Sequence, residues 1–208
     1  QLLGTRLQAL EGVCLRVEHR EFVSVLGPSG CGKSSLLKIN PGFVRPTSGQ
    51  VLVEGQEVSG PGNDRGVVFQ DHALFPWMTV RENIEFGPKV NGAPKHVRAK
   101  KVEELIALVG LKGFEDAFPK QLSGGMRQRV AVSRALATDP DILLLDEPFS
   151  ALDEQTRRRV QEEFVRIWQE TKQTVLLVTH SVEESVLMSD RVVVMTTKPG
   201  QVEETIRI

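Results

Sequence analysis

The amino-acid sequence predicts an α/β fold: a mainly parallel sheet covered by helices, an antiparallel β subdomain at one edge, and an inserted α-helical subdomain. Three observations carry that expectation. Short β-branched apolar runs alternate with longer helical patterns, as a parallel sheet buried on both faces requires. The first quarter of the chain also holds half-polar strand candidates, which suit a sheet with one wet face. Between Pro88 and Asp139 the strand pattern stops and helical spacing takes over.

In chain order, Val13–Val17 and Gln50–Val53 are the half-polar candidates for the antiparallel edge. Val23–Leu26 is a core strand that runs into a glycine loop and a helix, and Gly66–Phe69 follows the turn-rich PGND. Val102, Leu105, Ile106 and Val109 recur at i, i+3, i+4 and i+7, with Gly110 just beyond, so an amphipathic helix with a glycine C-cap is expected. A second helix opens at Ser123, whose hydroxyl can cap its first turn. Ile142–Leu145, Val175–Val178 and Val192–Met195 complete the core strands. A third helix, after Asp153, places Val160, Phe164 and Ile167 on one face, and Trp168 is expected in the core. The expected organisation is a single domain over 1–208. Its parts are the core and antiparallel sheet over 1–87, the helical insert over 88–138, and the rest of the core over 139–208.

Composition narrows the setting. A chain of 208 residues can bury one substantial core. Lys plus Arg is 26 against Asp plus Glu at 27, so no nucleic-acid partner is expected. Two cysteines, Cys14 and Cys31, are too few for a disulfide framework, which suggests a reducing, cytoplasmic setting. No apolar stretch approaches the roughly 18 residues of a spanning helix, so the chain is not expected to cross a membrane by itself. It opens at Gln1 and closes on TIRI, as a piece trimmed from a longer polypeptide would.

The chemistry is concentrated at strand ends. Gly27, Gly32, Lys33 and Ser34 fit G-x-x-x-x-G-K-S/T between a strand and a helix. The loop glycines allow backbone amides to ring a phosphate, Lys33 can reach the β- and γ-phosphates, and the Ser34 hydroxyl is a hard ligand for Mg²⁺. ILLLDEP ends a buried strand on two acids: Asp146 suits Mg²⁺, and Glu147 suits activation of a water. Gln70 follows GVVF and His180 follows VLLVT, so both occupy strand ends on the ligand side. Gln70 offers an oxygen to Mg²⁺ or the water, and His180 a ring N–H to the γ-phosphate. His19, His72 and His96 are read as ordinary surface or core residues. A further phosphate site is suggested by LSGGMRQR, where Ser123 caps a helix and Gly124 and Gly125 let backbone N–H groups approach an anion. Cys31, beside Lys33 at a helix N-terminus, is expected to be the reactive cysteine, and Cys14 the inert one. Arg157–Arg159 and the RAKK at 98–101 are read as solvated helix faces.

GPSGCGKS at 27–34, Gln70, LSGGMRQR at 122–129, ILLLDEP at 142–148, SALD at 150–153 and His180, in this order and spacing, resemble the ATPase subunit of ATP-binding-cassette transporters over essentially the whole chain. The resemblance implies a P-loop NTPase (RecA-like) core that binds ATP and Mg²⁺. Residues Gly27, Pro28, Ser29, Gly30, Cys31, Gly32, Lys33, Ser34 and Ser35 would cradle the phosphates. Ser34, Gln70 and Asp146 would hold Mg²⁺, Glu147 would activate water, and His180 would sense the γ-phosphate. Two subunits would pair head to tail as a homodimer, so that Ser123, Gly124 and Gly125 of one face the ATP of the other and Asp153 links the two sites. Transmembrane permease subunits, and through them a periplasmic solute-binding protein, complete the implied assembly at the cytoplasmic face of the inner membrane.

Residues 61–87 and RIWQET at 166–171 look most like importers of nitrate, sulfonate or taurine. Three departures stand out: Leu3 where the family stacks an aromatic on adenine, Asn40-Pro41 at the end of the phosphate-loop helix, and Ser181 after His180. A DNA-repair or translation-factor cassette would share the ATP-site residues but needs coiled-coil arms or a second cassette. A non-hydrolysing module would lack Glu147 or His180, and a small-molecule kinase leaves LSGG unexplained.

Overall fold

The computed structural model describes residues 8–71 and 73–208, so Leu3 and His72 lie outside the described residues. The chain forms β1 (Phe22–Leu26), α1 (Lys33–Ile39), β2 (Leu52–Val53), β3 (Gln56–Glu57), β4 (Arg65–Val68), α2 (Val80–Val90) and α3 (Lys95–Leu108). It continues through a 3₁₀ turn at Pro119–Gln121, α4 (Gly124–Leu136), β5 (Ile142–Asp146), α5 (Glu154–Thr171), β6 (Thr174–Thr179), α6 (Val182–Met188), β7 (Arg191–Met195) and β8 (Val202–Arg207).

The main sheet runs β4-β5-β6-β1-β7-β8, and a separate antiparallel pair joins β2 to β3. Every pairing among the first five strands is parallel; β8 closes the edge antiparallel to β7. Because side chains alternate along a strand, the sheet divides its apolar residues between two faces. Leu143, Leu145, Val175 and Leu177 join the core built with Val102, Leu105 and Ile106 of α3, Val130 of α4 and Phe164 of α5. Leu144, Leu176, Val178 and Val25 point the other way, onto Leu36 and Leu37 of α1. β6 is buried at every position, which is why it reads as VLLV rather than as an alternating strand.

Two expectations need correction, and one strand was not foreseen. Val13–Val17 forms no strand, although its alternation is real: Val13, Leu15 and Val17 lie against the second core while Cys14, Arg16 and Glu18 face water. An alternating segment needs a neighbour with free ladder groups, and among the described residues nearby there is only an isolated bridge between Leu10 and Gly200. The helical stretch opens at Val80, eight positions before 88 as its bounds are read, because Thr79 and Glu82 build a reciprocal capping box and Pro88 is accepted within α2. β8 went unanticipated, since VEETIR is almost wholly exposed on an edge strand. The helix expected around Val102–Val109 is present as α3, with Gly110 at φ +64 just beyond Val109. Trp168 packs edge-to-face on Phe22 with centroids 5.3 Å apart, and its Nε1 donates to the Gln173 carbonyl at 2.9 Å.

Candidate functional site

The strand order puts the chemistry in one row. β4, β5, β6 and β1 are adjacent and parallel, so the loops leaving their carboxyl ends are neighbours. Leu26 pairs with Thr179, Asp146 with Val178, and Val68 with Leu145. The glycine loop after β1, Gln70 after β4, Asp146 and Glu147 at the end of β5, and His180 after β6 therefore emerge from one edge. Backbone bonds tighten the row: the Glu147 N–H donates to the Val178 carbonyl at 2.9 Å.

In the glycine loop, Gly30 and Gly32 adopt φ of +82° and +93°, which is left-handed backbone that suits glycine. A Cβ on Gly32 would also meet Leu10 Cδ2 at 2.5 Å and the Ala9 carbonyl at 2.7 Å. The loop leads into α1, whose first-turn N–H groups have no intrahelical partners and whose N-cap supplies no side-chain acceptor. Those groups, Lys33 and the exposed Ser34 suit an anion and a hard cation. Lys33 is nearly buried, its Nζ donating to the Gly27 carbonyl at 2.6 Å and the Pro28 carbonyl at 3.0 Å. α1 ends at Ile39 with Asn40 as its C-cap, whose N–H reaches the Leu36 carbonyl; Asn40-Pro41 is a stop signal rather than an interruption.

The cysteine expectation is reversed. Cys31 is completely buried, packed beneath the loop where a Cβ on Gly27 would come within 2.7 Å of its Sγ, whereas Cys14 is exposed. The side chain at position 31 points into the core under the loop, so helix-end polarity gives a reagent no route to it.

The acids carry the electrostatics. Burial, and after it the charge of Glu147, pushes the Asp146 carboxyl above its ordinary range, against the opposing pull of Lys38 and Lys33. Two adjacent carboxyls at a half-buried strand end, one of them held back from ionising, form a donor set that a divalent cation would relieve. Glu147 itself sits at φ +42, uncommon for a residue with a Cβ, and the turn is held by the Ser150 hydroxyl donating to its carbonyl at 2.8 Å. Its Oε2 lies 3.0 Å from His180 Nδ1, so these two expected site residues meet directly. Gln70 is exposed, two residues beyond the end of β4.

A second cluster forms where α4 meets α5. Ser123 caps α4, its Oγ accepting from the Met126 N–H at 3.3 Å, and Asp153 caps α5, its Oδ1 accepting from the Thr156 N–H at 3.1 Å. Cβ atoms at Gly124 and Gly125 would stand 3.0 Å from Leu152 Cδ2 and 3.0 Å from Thr156 Cγ2. The two glycines thus allow α4 to lie close against the Leu152–Asp153 turn and α5, a packing duty that the motif alone does not reveal.

Part of the basic run expected as a solvated face is structural. Arg157 reaches back to the carbonyls of Phe149 at 3.2 Å and Leu152 at 2.8 Å, fixing the turn that presents Asp153. Arg98 pairs with Glu85 at 2.7 Å, and Lys101 with Asp139. Sequence reasoning also missed Thr179, Gln161 and Glu184, buried polar residues behind His180. Of these, only Glu184 left a signal: S-x-x-E at 181–184 is a capping pattern, and the Ser181 Oγ accepts from the Glu184 N–H at 3.2 Å.

Among known proteins, the family described as ABC transporter matches residues 10–150. An uncharacterised ABC transporter ATP-binding protein of Methanocaldococcus jannaschii is 55% identical over 205 residues, covering 99% of this chain and 77% of the relative. The taurine import ATP-binding protein TauB of Roseobacter denitrificans is 48% identical, over 99% of this chain and 76% of its own length. The nitrate import ATP-binding protein NrtD of Synechocystis sp. is 48% identical over 96% of this chain. Among solved structures, a dimeric ATP-binding cassette described as a post-hydrolysis state bound to ADP and Pi superposes with a TM-score of 0.83 at 32% identity, covering 100% of this chain and 94% of the other.

Proposed function

Because the chain belongs to the ABC transporter family, we propose that it is the ATP-binding and ATP-hydrolysing subunit that powers an importer of a taurine-, sulfonate- or nitrate-like anion. The observation that carries the reading is the meeting of His180 with Glu147 at 3.0 Å in the row of strand-end loops that also holds Lys33 and Asp146. The import relatives support the direction and the anionic solute class.

In this reading the amides of the 27–35 loop and Lys33 bind the β- and γ-phosphates. On binding, Lys33 exchanges the Gly27 and Pro28 carbonyls for phosphate oxygens. Ser34, Gln70 and Asp146 would hold Mg²⁺, which would supply positive charge against that of the phosphates. Glu147 accepts a proton from the attacking water, while His180, hydrogen-bonded to Glu147, contacts the γ-phosphate and holds the base in register. A second copy of the chain contributes Ser123, Gly124 and Gly125 to each nucleotide, and Asp153, held beside the α4 terminus, connects the two sites. ATP thereby favours the closed pair, and loss of the γ-phosphate releases it. The dimeric solved relative supports the pairing.

The subunit sits peripherally at the cytoplasmic face of the inner membrane on transmembrane permease subunits, which receive solute from a periplasmic binding protein. Consistent with a peripheral place, no helix among the described residues is long and apolar enough to cross a membrane. The testing variant is Glu147→Gln. It should bind MgATP, turn over at least about 100-fold more slowly than wild type, and accumulate as an ATP-bound dimer on gel filtration. Near-normal turnover, or only monomer with ATP, would remove Glu147 from the role of base.

A further inference from the structure

Behind His180 lies a set of buried polar groups that the proposed hydrolysis does not use. Thr179, Glu184 and Gln161 are 2%, 4% and 5% exposed. The Thr179 hydroxyl donates to Glu184 Oε2, and Gln161 Nε2 donates to Glu184 Oε1 at 3.0 Å. With its proton committed to Glu184, the Thr179 oxygen keeps a lone pair for the Ser181 N–H, which donates to it at 3.1 Å. His180 is the residue between. Ser181 in turn caps α6: its Oγ accepts from the Glu184 N–H, and its carbonyl accepts from the Ser185 hydroxyl at 2.9 Å.

Through Thr179 the carboxylate therefore orders the chain on both sides of His180. It also reaches, through Gln161, the helix that begins next to Asp153. Resting on the reading that His180 serves hydrolysis through Glu147, we propose that Glu184 and Thr179 are positioning residues. They fix the turn that presents the imidazole to Glu147, and Gln161 ties that turn to the helix capped by Asp153.

The geometry favours this over simple filling of space. A buried carboxylate is costly unless its lone pairs are occupied, and here both oxygens accept from donors on two different elements. Burial raises the Glu184 carboxyl above its ordinary range, while the bonds from Thr179 and Gln161 act against that rise. An apolar residue would fill the same volume without orienting Thr179. The hydroxyl would then be free to rotate away from Glu184, and the backbone bond to Ser181 would no longer be fixed.

The experiment compares Thr179→Val, Thr179→Ser and Glu184→Leu, each alone and with His180→Ala, for steady-state MgATP turnover, nucleotide affinity and thermal midpoint. Thr179→Val keeps the shape and removes the hydroxyl. It should lower kcat about 10-fold while changing the nucleotide Kd less than about 2-fold, since only alignment is lost. Thr179→Ser, which restores the hydroxyl, should recover turnover to within about 2-fold of wild type. Glu184→Leu, which removes the acceptor, should behave as Thr179→Val does. In the His180→Ala background neither substitution should lower turnover further, because residues that act through His180 cannot add to its loss. If His180→Ala is slow but the second substitutions add to it in full, the positioning role is overturned while the His180 role survives. Wild-type kcat in Thr179→Val, with His180→Ala slow, overturns it equally. If His180→Ala itself turns over normally, the hydrolytic reading of His180 falls, and this proposal with it.

Discussion

Cys31 and Cys14 carry the same thiol into opposite surroundings, and the difference lies in how the glycine loop is floored. Cys31 faces the core beneath Gly27, whereas Cys14 sits on an outward position of the extended segment before β1. Limited maleimide labelling followed by peptide mass spectrometry should find Cys14 modified first, with Cys31 unreactive until the protein unfolds. Labelling of Cys31 in the folded state at a comparable rate would mean that the loop opens far more than its packing suggests. The same residue-scale view explains which parts of the candidate site could be read from the sequence. Lys33, Ser34, Asp146 and Glu147 were legible because their neighbours in sequence are also their neighbours in space. Thr179, Gln161 and Glu184 were not, because their partnership spans β6, α5 and α6 and exists only through burial. The fate of Cys31 was hidden for a related reason: polarity at a helix end can be read from sequence, but the direction of a side chain under a loop cannot.

At the scale of elements, the sheet is locked at the start of β1 and β7 by charge as well as by backbone bonds. Glu21 receives Arg191 Nε at 2.7 Å and Nη2 at 2.8 Å, and also the Glu18 N–H at 2.8 Å. The hydrogen bond from Arg191 is the main cause that lowers the Glu21 carboxyl below 4.5; partial burial opposes it, and the Glu18 N–H, Arg191 charge and Arg207 charge assist. A carboxyl lowered by folding contributes stability that is present above the unfolded value and is lost as pH falls through the folded one. Thermal midpoints measured from neutral pH downwards should therefore drop less steeply below pH 4.5 in Glu21→Gln than in wild type, with the variant already less stable at neutral pH. Parallel curves for the two proteins would show that Glu21 adds nothing to the acid limb. The elements also differ in legibility for a physical reason. β5, β6 and β7 are largely buried, so their sequences are near-continuous apolar runs. β8 is wet along almost its whole length and carries no such mark. α2 was obscured by Gly87 and Pro88, although the T-x-x-E at its start was a fair signal of where it begins.

At the scale of the whole molecule, the apolar loop after Gln70 is the surface expected to meet a permease. Trp77 is 70% exposed, beside Phe75, whose ring packs on Phe86 at 4.6 Å and lies under Arg134 at 5.4 Å. Asn83 pins the loop from below, its Nδ2 donating to the Met78 and Thr79 carbonyls and its Oδ1 accepting from the Phe75 N–H. So anchored a base with so open a tip fits a contact with the cytoplasmic helix of a permease. Trp77→Ala should leave the ATPase activity and thermal midpoint of the isolated subunit within normal scatter and abolish solute uptake by the assembled transporter in vesicles. A matching loss in the isolated subunit would return Trp77 to an ordinary structural role.

The strand order also governs when the molecule can come into being. β1, which carries the glycine loop, lies between β6 and β7, so residues 22–26 wait for residues 174–179 and 191–195 before either edge is covered. During synthesis β1 leaves the ribosome well before β6 and β7, so it waits for its neighbours, and closing so long a loop is slow. Until then its apolar residues lack both flanking strands, a consequence of topology rather than of composition. The benefit is proofreading of a kind: a chain cut short before β6 has neither flanking strand to hold the glycine loop, so an unfinished cassette has no assembled site with which to capture nucleotide.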